Sequence, residues 1–152
     1  MSATDGRGVD AAPEVEVEQH CDDLATRAVF AAGALAAVSG AERAAALHAI
    51  AGSLIAGTNA VCAANAVDLA AGAEAGLSAA MLDRLKLDEK RIAAMADSVR
   101  QVADQTDPVG QIIEGYILPN GLRLQKMRVP IGVVLIIFES RPNVTSDAAA
   151  LC

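Results

Sequence analysis

The sequence predicts an α/β fold built as a run of helices, then a β-hairpin, then one strand of a parallel sheet. Three observations carry this. Between residues 39 and 103, capping residues recur ahead of apolar positions at helical spacing. After Asp107-Pro108 the period changes to that of strands, around the turn Pro119-Asn120-Gly121. Residues 131–138 (IGVVLIIF) then hold no charge and no polar side chain. Such a run, mostly β-branched, reads as a strand buried on both faces, as in a parallel sheet covered by helices.

Composition narrows the class. A chain of 152 residues is one domain or part of something larger. It is 53% hydrophobic but only 2% aromatic, so its core must be built from Ala, Val, Leu and Ile. A net charge of −7 argues against a nucleic-acid partner, which needs a basic patch. Cys21, Cys62 and Cys152 are far apart and form neither a disulfide framework nor a metal motif, which fits a reducing, cytoplasmic setting. Residues 28–38 lack polar side chains, but acidic residues precede them, including Glu14, Glu16, Glu18, Asp22 and Asp23. That flank is wrong for a secretory signal, and the run is too short to span a bilayer. It reads as a buried helix.

In chain order, residues 1–20 are small and acidic and read as a disordered tail. A helix follows from about residue 22 to 38. Ser39 with Glu42 forms a capping box for the next helix, whose face carries Leu47, Ile50 or Ala51, and Leu54, and which Gly57 ends. Thr58 is placed to cap a further helix through Leu69, fraying near Gly72 and Gly76. Ser78 caps a short helix through Leu85. Asp88 caps another whose Ile92, Met95, Val99 and Val102 make one apolar seam. The hairpin strands are residues 112–118 and 122–129. Neither face is cleanly apolar, which suits a strand pair reaching a partner subunit. Pro142 holds Arg141 extended and ends the strand. Thr145 or Ser146 then caps a last helix, with Asp147 in its first turn.

The closing segment also carries a family resemblance. Val129-Pro130-Ile131-Gly132-Val133-Val134, then Glu139-Ser140-Arg141-Pro142-Asn143-Val144-Thr145 and Asp147-Ala148-Ala149-Ala150-Leu151-Cys152, is similar to the hallmark segment of γ-glutamyl phosphate reductase. That enzyme, also called glutamate-5-semialdehyde dehydrogenase, belongs to the aldehyde dehydrogenase superfamily. Ala41-Glu42-Arg43, Ala64-Asn65, Asp83-Arg84-Leu85, Asp107-Pro108-Val109-Gly110 and Pro119-Asn120-Gly121-Leu122 resemble further landmarks of the family in family order, so the likeness covers about residues 40–152. Leu135 and Ser146 depart from the family pattern, where glycine and valine are common.

The resemblance implies an aldehyde dehydrogenase-like α/β fold. Residues 21–107 would be the helical start of the nucleotide-binding domain, 108–130 the hairpin of the oligomerisation element, and 131–152 the incomplete beginning of a Rossmann-like sheet. It implies a cytoplasmic homo-oligomer that uses NADPH to reduce γ-glutamyl phosphate to glutamate 5-semialdehyde in proline biosynthesis. A cysteine thiolate displaces phosphate in that reaction, and hydride transfer then releases the aldehyde. The nucleophile of the family lies in a later segment, so the 152-residue chain alone is expected to be inactive. A second reading is a non-catalytic helical interaction protein derived from the same fold. Neither a membrane nor a metal is expected.

The resemblance places Asn143 as a donor to the oxyanion formed in acyl transfer. Local chemistry alone equally allows Asn143 to cap the following helix. Arg141 could bind a carboxylate or phosphate of the substrate, or make a salt bridge. Glu139 and Ser140 could touch the cofactor or shape the loop. There is no G-x-G-x-x-G fingerprint, and the superfamily binds its cofactor without one. His20 and His48 lack partners at informative spacing. Cys152, among Ala148, Ala149, Ala150 and Leu151, reads as a core residue and not as a nucleophile.

Overall fold

The computed structural model describes residues 14–139 and 141–152. The chain divides at Val38 into two units. Of the first, the described part is helix α1 (Glu14–Ala36). It begins well before residue 22, so residues 14–20 are helical and not part of a disordered tail; residues 1–13 lie outside the described residues. Glutamate is a good helix former and is favoured near a helix start, where the dipole is positive. The expectation of a buried helix over residues 28–38 is corrected too: Val29, Phe30 and Leu35 are exposed, Phe30 at 83%. Alanine-rich composition makes the segment helical, but burial needs a packing partner, which composition cannot specify.

The second unit holds α2 (Gly40–Ala56), α3 (Thr58–Glu74), α4 (Ala79–Leu85), α5 (Glu89–Ala103), strands β1 (Ile112–Ile117) and β2 (Arg123–Met127), and α6 (Pro142–Leu151). Local signals account for most boundaries. Ser39 and Glu42 form the reciprocal capping box at the start of α2. The side chains of Ser78 and Asp88 accept from the N–H groups of Met81 and Arg91 to start α4 and α5. α3 runs past Leu69 to Glu74, where the N–H groups of Leu77 and Gly76 reach back to the carbonyls of Gly72 and Ala73. Thr58 does not cap α3. Its hydroxyl donates to the Ile55 carbonyl at 2.8 Å, serving the end of α2.

The core sits where α5 meets α2 and α6. Ala51 of α2, Ala96 and Val99 of α5 and Ala150 of α6 are buried together, with Leu47, Leu54 and Val102 packed around them. Of the two candidates on α2, Ala51 is the inward residue and Ile50 is exposed. Ile92 and Met95 continue the buried seam of α5.

Two polar ties join distant parts of this unit. The Asn65 side chain, only 3% exposed, donates to the Leu85 carbonyl at 2.9 Å and accepts from the Leu87 N–H at 2.7 Å. It thereby clamps the α4–α5 connection onto α3. Arg43 donates from both Nε and Nη2 to Asp107 Oδ2, at 3.1 and 2.5 Å, and also to the Val38 carbonyl. Asp107 Oδ1 accepts from the Val109 N–H at 2.8 Å. Gly40 makes room for this tie: a Cβ there would lie 2.5 Å from Asp107 Oδ2.

The hairpin forms as expected, with Tyr116 opposite Leu124 and Ile117 opposite Arg123, and a bulge between Ile112 and Glu114. Its turn closes through the Gly121 N–H onto the Leu118 carbonyl at 2.8 Å, with Gly121 left-handed at φ +87°. This is the three-residue loop that ends on a left-handed residue. Both faces of the hairpin are exposed.

The expected strand at residues 131–138 is not formed here. The segment carries no regular secondary structure and is exposed, Ile131 at 92% and Leu135 at 84%. A parallel strand acquires both its hydrogen bonds and its burial from neighbours. β1 and β2 pair with each other, and the described residues supply no other strand.

Two outcomes follow from the polar ties. Asn65→Ala leaves the Leu87 N–H and the Leu85 carbonyl without their partner in a buried place, and should cost about 1–3 kcal/mol in urea denaturation of this chain. A loss below about 0.5 kcal/mol would show that the clamp is not needed. The Asp107 carboxyl is held below its ordinary range by the Val109 N–H and by Arg43. A depressed carboxyl stabilises the fold above its unfolded value, ~3.9, and the contribution is lost as pH falls through the folded value. The melting temperatures of the native chain and Asp107→Asn should therefore differ at pH 7 and converge on acidification below pH ~3.9. A gap that is constant with pH would contradict this.

Candidate functional site

The site is built by the start of α6. Pro142 occupies the first helical position, where its missing N–H is no loss and its fixed φ suits the helix. Helix α6 thus begins at Pro142, with Arg141 as the cap residue and no side-chain cap. Three expectations are corrected by that one fact. Neither Thr145 nor Ser146 caps the helix; the Ser146 hydroxyl donates to the Asn143 carbonyl at 3.0 Å. Asn143 does not cap it either, because it lies inside the first turn. Asp147 sits beyond that turn, and its role is set by a side-chain contact instead of the dipole.

That contact is with Asn143, whose amide nitrogen donates to Asp147 Oδ2 at 3.0 Å. The two residues are one helical turn apart and face the same way. Both line a cleft of about 250 Å³ between α6, α5 and the α4–α5 connection, with Pro142, Arg84, Lys86, Leu87, Arg91 and Met95 among its other walls. Arg91 is engaged: it donates to Asp83 Oδ1 at 2.7 Å, to the Lys86 carbonyl at 2.9 Å and to the Asp83 carbonyl. Asp147 Oδ1 is buried and finds no hydrogen-bond donor among the described residues. The cleft therefore combines an amide donor, an unsatisfied carboxylate oxygen and cationic side chains.

The other residues singled out in the sequence are not gathered here. Arg141 and Glu139 are exposed and line no part of this cleft, and Ser140 lies outside the described residues. No cysteine lines it. Cys62 is half-buried in α3, and Cys21 is exposed on α1. Cys152 is exposed at the end of α6, contrary to the core position expected for it, because the buried face of the helix runs through Ala150. His20 is exposed on α1; His48 Nε2 lies 3.3 Å from Asp104 Oδ1, with both side chains open to solvent. Among the described residues no group of His, Cys, Asp or Glu is placed to hold a metal ion, and no single helix is long and apolar enough to cross a membrane.

Sequence reasoning missed Arg84, Lys86 and Asp147 as site residues. The signal for Asp147 was present: a helix opened by Pro142 puts positions 143 and 147 on one face. Arg84 and Lys86 reach the cleft through the Asn65 clamp of the α4–α5 connection onto α3, which no local pattern announces.

Helices followed by an outlying hairpin, and then a helix start bearing an asparagine, match the N-terminal part of an aldehyde dehydrogenase-like α/β fold. The particular likeness is to γ-glutamyl phosphate reductase. The crystal structure of that protein from Thermotoga maritima superposes with a TM-score of 0.81 at 35% identity, covering 84% of this chain and 31% of that one. The Saccharomyces cerevisiae structure gives 0.77 at 36% identity, covering 85% and 33%. In sequence, the γ-glutamyl phosphate reductase of Sphingopyxis alaskensis is 57% identical over 129 residues, which are 85% of this chain and 30% of the relative. That of Nitratiruptor is 50% identical over 126 residues, 83% of this chain and 31% of the relative. No protein-family model matches the chain. By sequence and by fold, this chain is similar to γ-glutamyl phosphate reductases over about 85% of its own length, and it spans about 30% of the length of those curated relatives.

The Asn143–Asp147 bond is a single side-chain link whose donor, Asn143, is exposed. Asn143→Ala should therefore change the stability of this chain by no more than about 0.5 kcal/mol in thermal or urea denaturation. A loss of about 2 kcal/mol would assign Asn143 a structural role instead.

Proposed function

We propose that this chain supplies the oxyanion-binding part of a γ-glutamyl phosphate reductase, an NADPH-dependent, phosphorylating glutamate-5-semialdehyde dehydrogenase acting in proline biosynthesis. The reading is carried by Asn143. It stands in the first turn of α6 at the edge of a charged cleft, in a chain homologous to proteins of that name. A primary amide offers two hydrogens, and only one is needed for the bond to Asp147. The second can donate to the oxygen that gains charge as an acyl carbon turns tetrahedral, with no change in protonation of the asparagine. The helix start adds a favourable field for negative charge at the same place.

The thiolate that attacks the acyl phosphate is not among the cleft residues, so this reading assigns it to the part of the relatives that lies beyond the homologous segment. Glu139 is exposed at the end of the segment that leads into α6, and that segment has no neighbouring strand among the described residues. NADPH, when bound, would supply the hydride. What this chain contributes is the amide donor and the cleft beside it. The hairpin, exposed on both faces, is assigned to a contact between subunits of a homo-oligomer.

The test joins this chain to the remaining two-thirds of the Sphingopyxis relative. NADP reduction is then followed with glutamate 5-semialdehyde and phosphate. The joined enzyme should turn over, and Asn143→Ala should lower kcat by roughly 10²-fold or more with little change in KM. The 152-residue chain alone should be silent. Turnover unaffected by Asn143→Ala would remove the oxyanion role. A folded but inactive joined enzyme would favour the non-catalytic interaction protein instead.

A further inference from the structure

We propose that the cleft beside Asn143 is the receptor for the α-amino-acid head of the substrate, with Asp147 taking the ammonium group and Lys86 and Arg84 the α-carboxylate. The proposal rests on the reductase reading above and adds which end of the substrate lies where.

Four observations converge. Asp147 Oδ1 is buried with no donor among the described residues, while Oδ2 is already held by Asn143. A buried acceptor without a partner is costly, so the place favours an arriving N–H group. Of the cations around the cleft, Arg91 is occupied by Asp83 and by two carbonyls, whereas Arg84 and Lys86 make no ion pair among the described residues. Once Arg91 is matched with Asp83, two positive groups and one negative group remain, which is the complement of a zwitterionic head with a further negative group close by. The cleft holds about 250 Å³, below the range of roughly 300–1,000 Å³ typical of pockets for larger ligands, and so suits one small polar molecule.

The arrangement also has a direction. Asn143 lies at the N-terminal end of α6, and Asp147 one turn further along the same face. A ligand anchored by its ammonium at Asp147 would run its side chain toward the Asn143 amide, which places the γ-acyl carbon at the oxyanion donor. Asp147 thereby serves two purposes, holding the Asn143 amide through Oδ2 and the substrate through Oδ1. Arg84 reaches the cleft from the last turn of α4, and Lys86 from the connection that Asn65 holds in place.

The test needs no turnover. The ¹⁵N-labelled 152-residue chain is titrated with L-glutamate, with glutarate, which lacks the ammonium, and with 4-aminobutyrate, which lacks the α-carboxylate. L-Glutamate should shift amides around residues 84–98 and 143–147 and bind about tenfold or more tightly than either analogue. Asp147→Asn, close to isosteric and checked for folding by the same spectra, should abolish the preference over glutarate. Lys86→Met should abolish the preference over 4-aminobutyrate. Equal binding of L-glutamate and glutarate, or no shifts with any of the three, would overturn the proposal. In the joined enzyme, Asp147→Asn should raise KM for the semialdehyde by about tenfold. An active enzyme with KM unchanged by Asp147→Asn would overturn this inference and leave the reductase reading standing. Loss of the reductase reading would appear as an inactive, folded joined enzyme, whatever the titration gives.

Discussion

The helical part of the second unit is referred to one contact, the small-residue face of α5 against α2 and α6. Ala51, Ala96, Val99 and Ala150 meet there, fully or nearly fully buried. An alanine removes little apolar surface from water, so the stabilisation comes from how closely the backbones approach and how many dispersion contacts that approach creates. A chain with 2% aromatic residues has few other ways to build a core. Such a core tolerates no enlargement, because close-packed interiors transmit a change of even one methylene. It also sets the position of α6, and with it that of Asn143 and Asp147.

The two walls of the cleft are held by different forces. α6 is held by apolar packing onto α5, which has no direction and fixes distance more than orientation. The opposite wall, with Arg84 and Lys86, is held by directional hydrogen bonds from Asn65 to the chain on either side of Lys86. A buried side chain satisfied by two backbone groups has one good geometry, so this wall is held in register with α3. The Arg43–Asp107 pair does the comparable work at the exit of α5, where the chain turns toward the hairpin. The pair is partly shielded, with 27% and 29% of the two side chains exposed, and Gly40 leaves the space it occupies.

The apolar surface lies elsewhere. Residues 131–138 and both faces of the hairpin are exposed, including Ile117, Val129, Leu135 and Ile137. Contiguous apolar surface of this kind marks a place of association. The curated relatives are about three times as long as the stretch of this chain that matches them. The proposed reductase would place the hairpin at a subunit contact and residues 131–138 in a sheet whose other strands are not among the described residues.

What the sequence by itself determined is the set of features that rest on neighbours within a few residues. Ser39 with Glu42, Ser78, Asp88 and the Asn120-Gly121 turn each satisfy nearby backbone groups, and each stands where local reasoning puts it. The seam of α5 is legible for the same reason, since period alone defines a helical face. The start of α6 was legible in principle through Pro142 at the first helical position, but the polar residues Thr145 and Ser146 offered a competing cap. Tertiary structure decided the rest. Whether Phe30 is buried, whether residues 131–138 become a strand, and whether Arg84 and Lys86 face Asp147 all depend on groups far away along the chain. Burial and strand pairing are properties of two surfaces, and one surface does not specify its partner. The cleft followed only once Asn65 and the alanines of α5 had brought α4, α5 and α6 together.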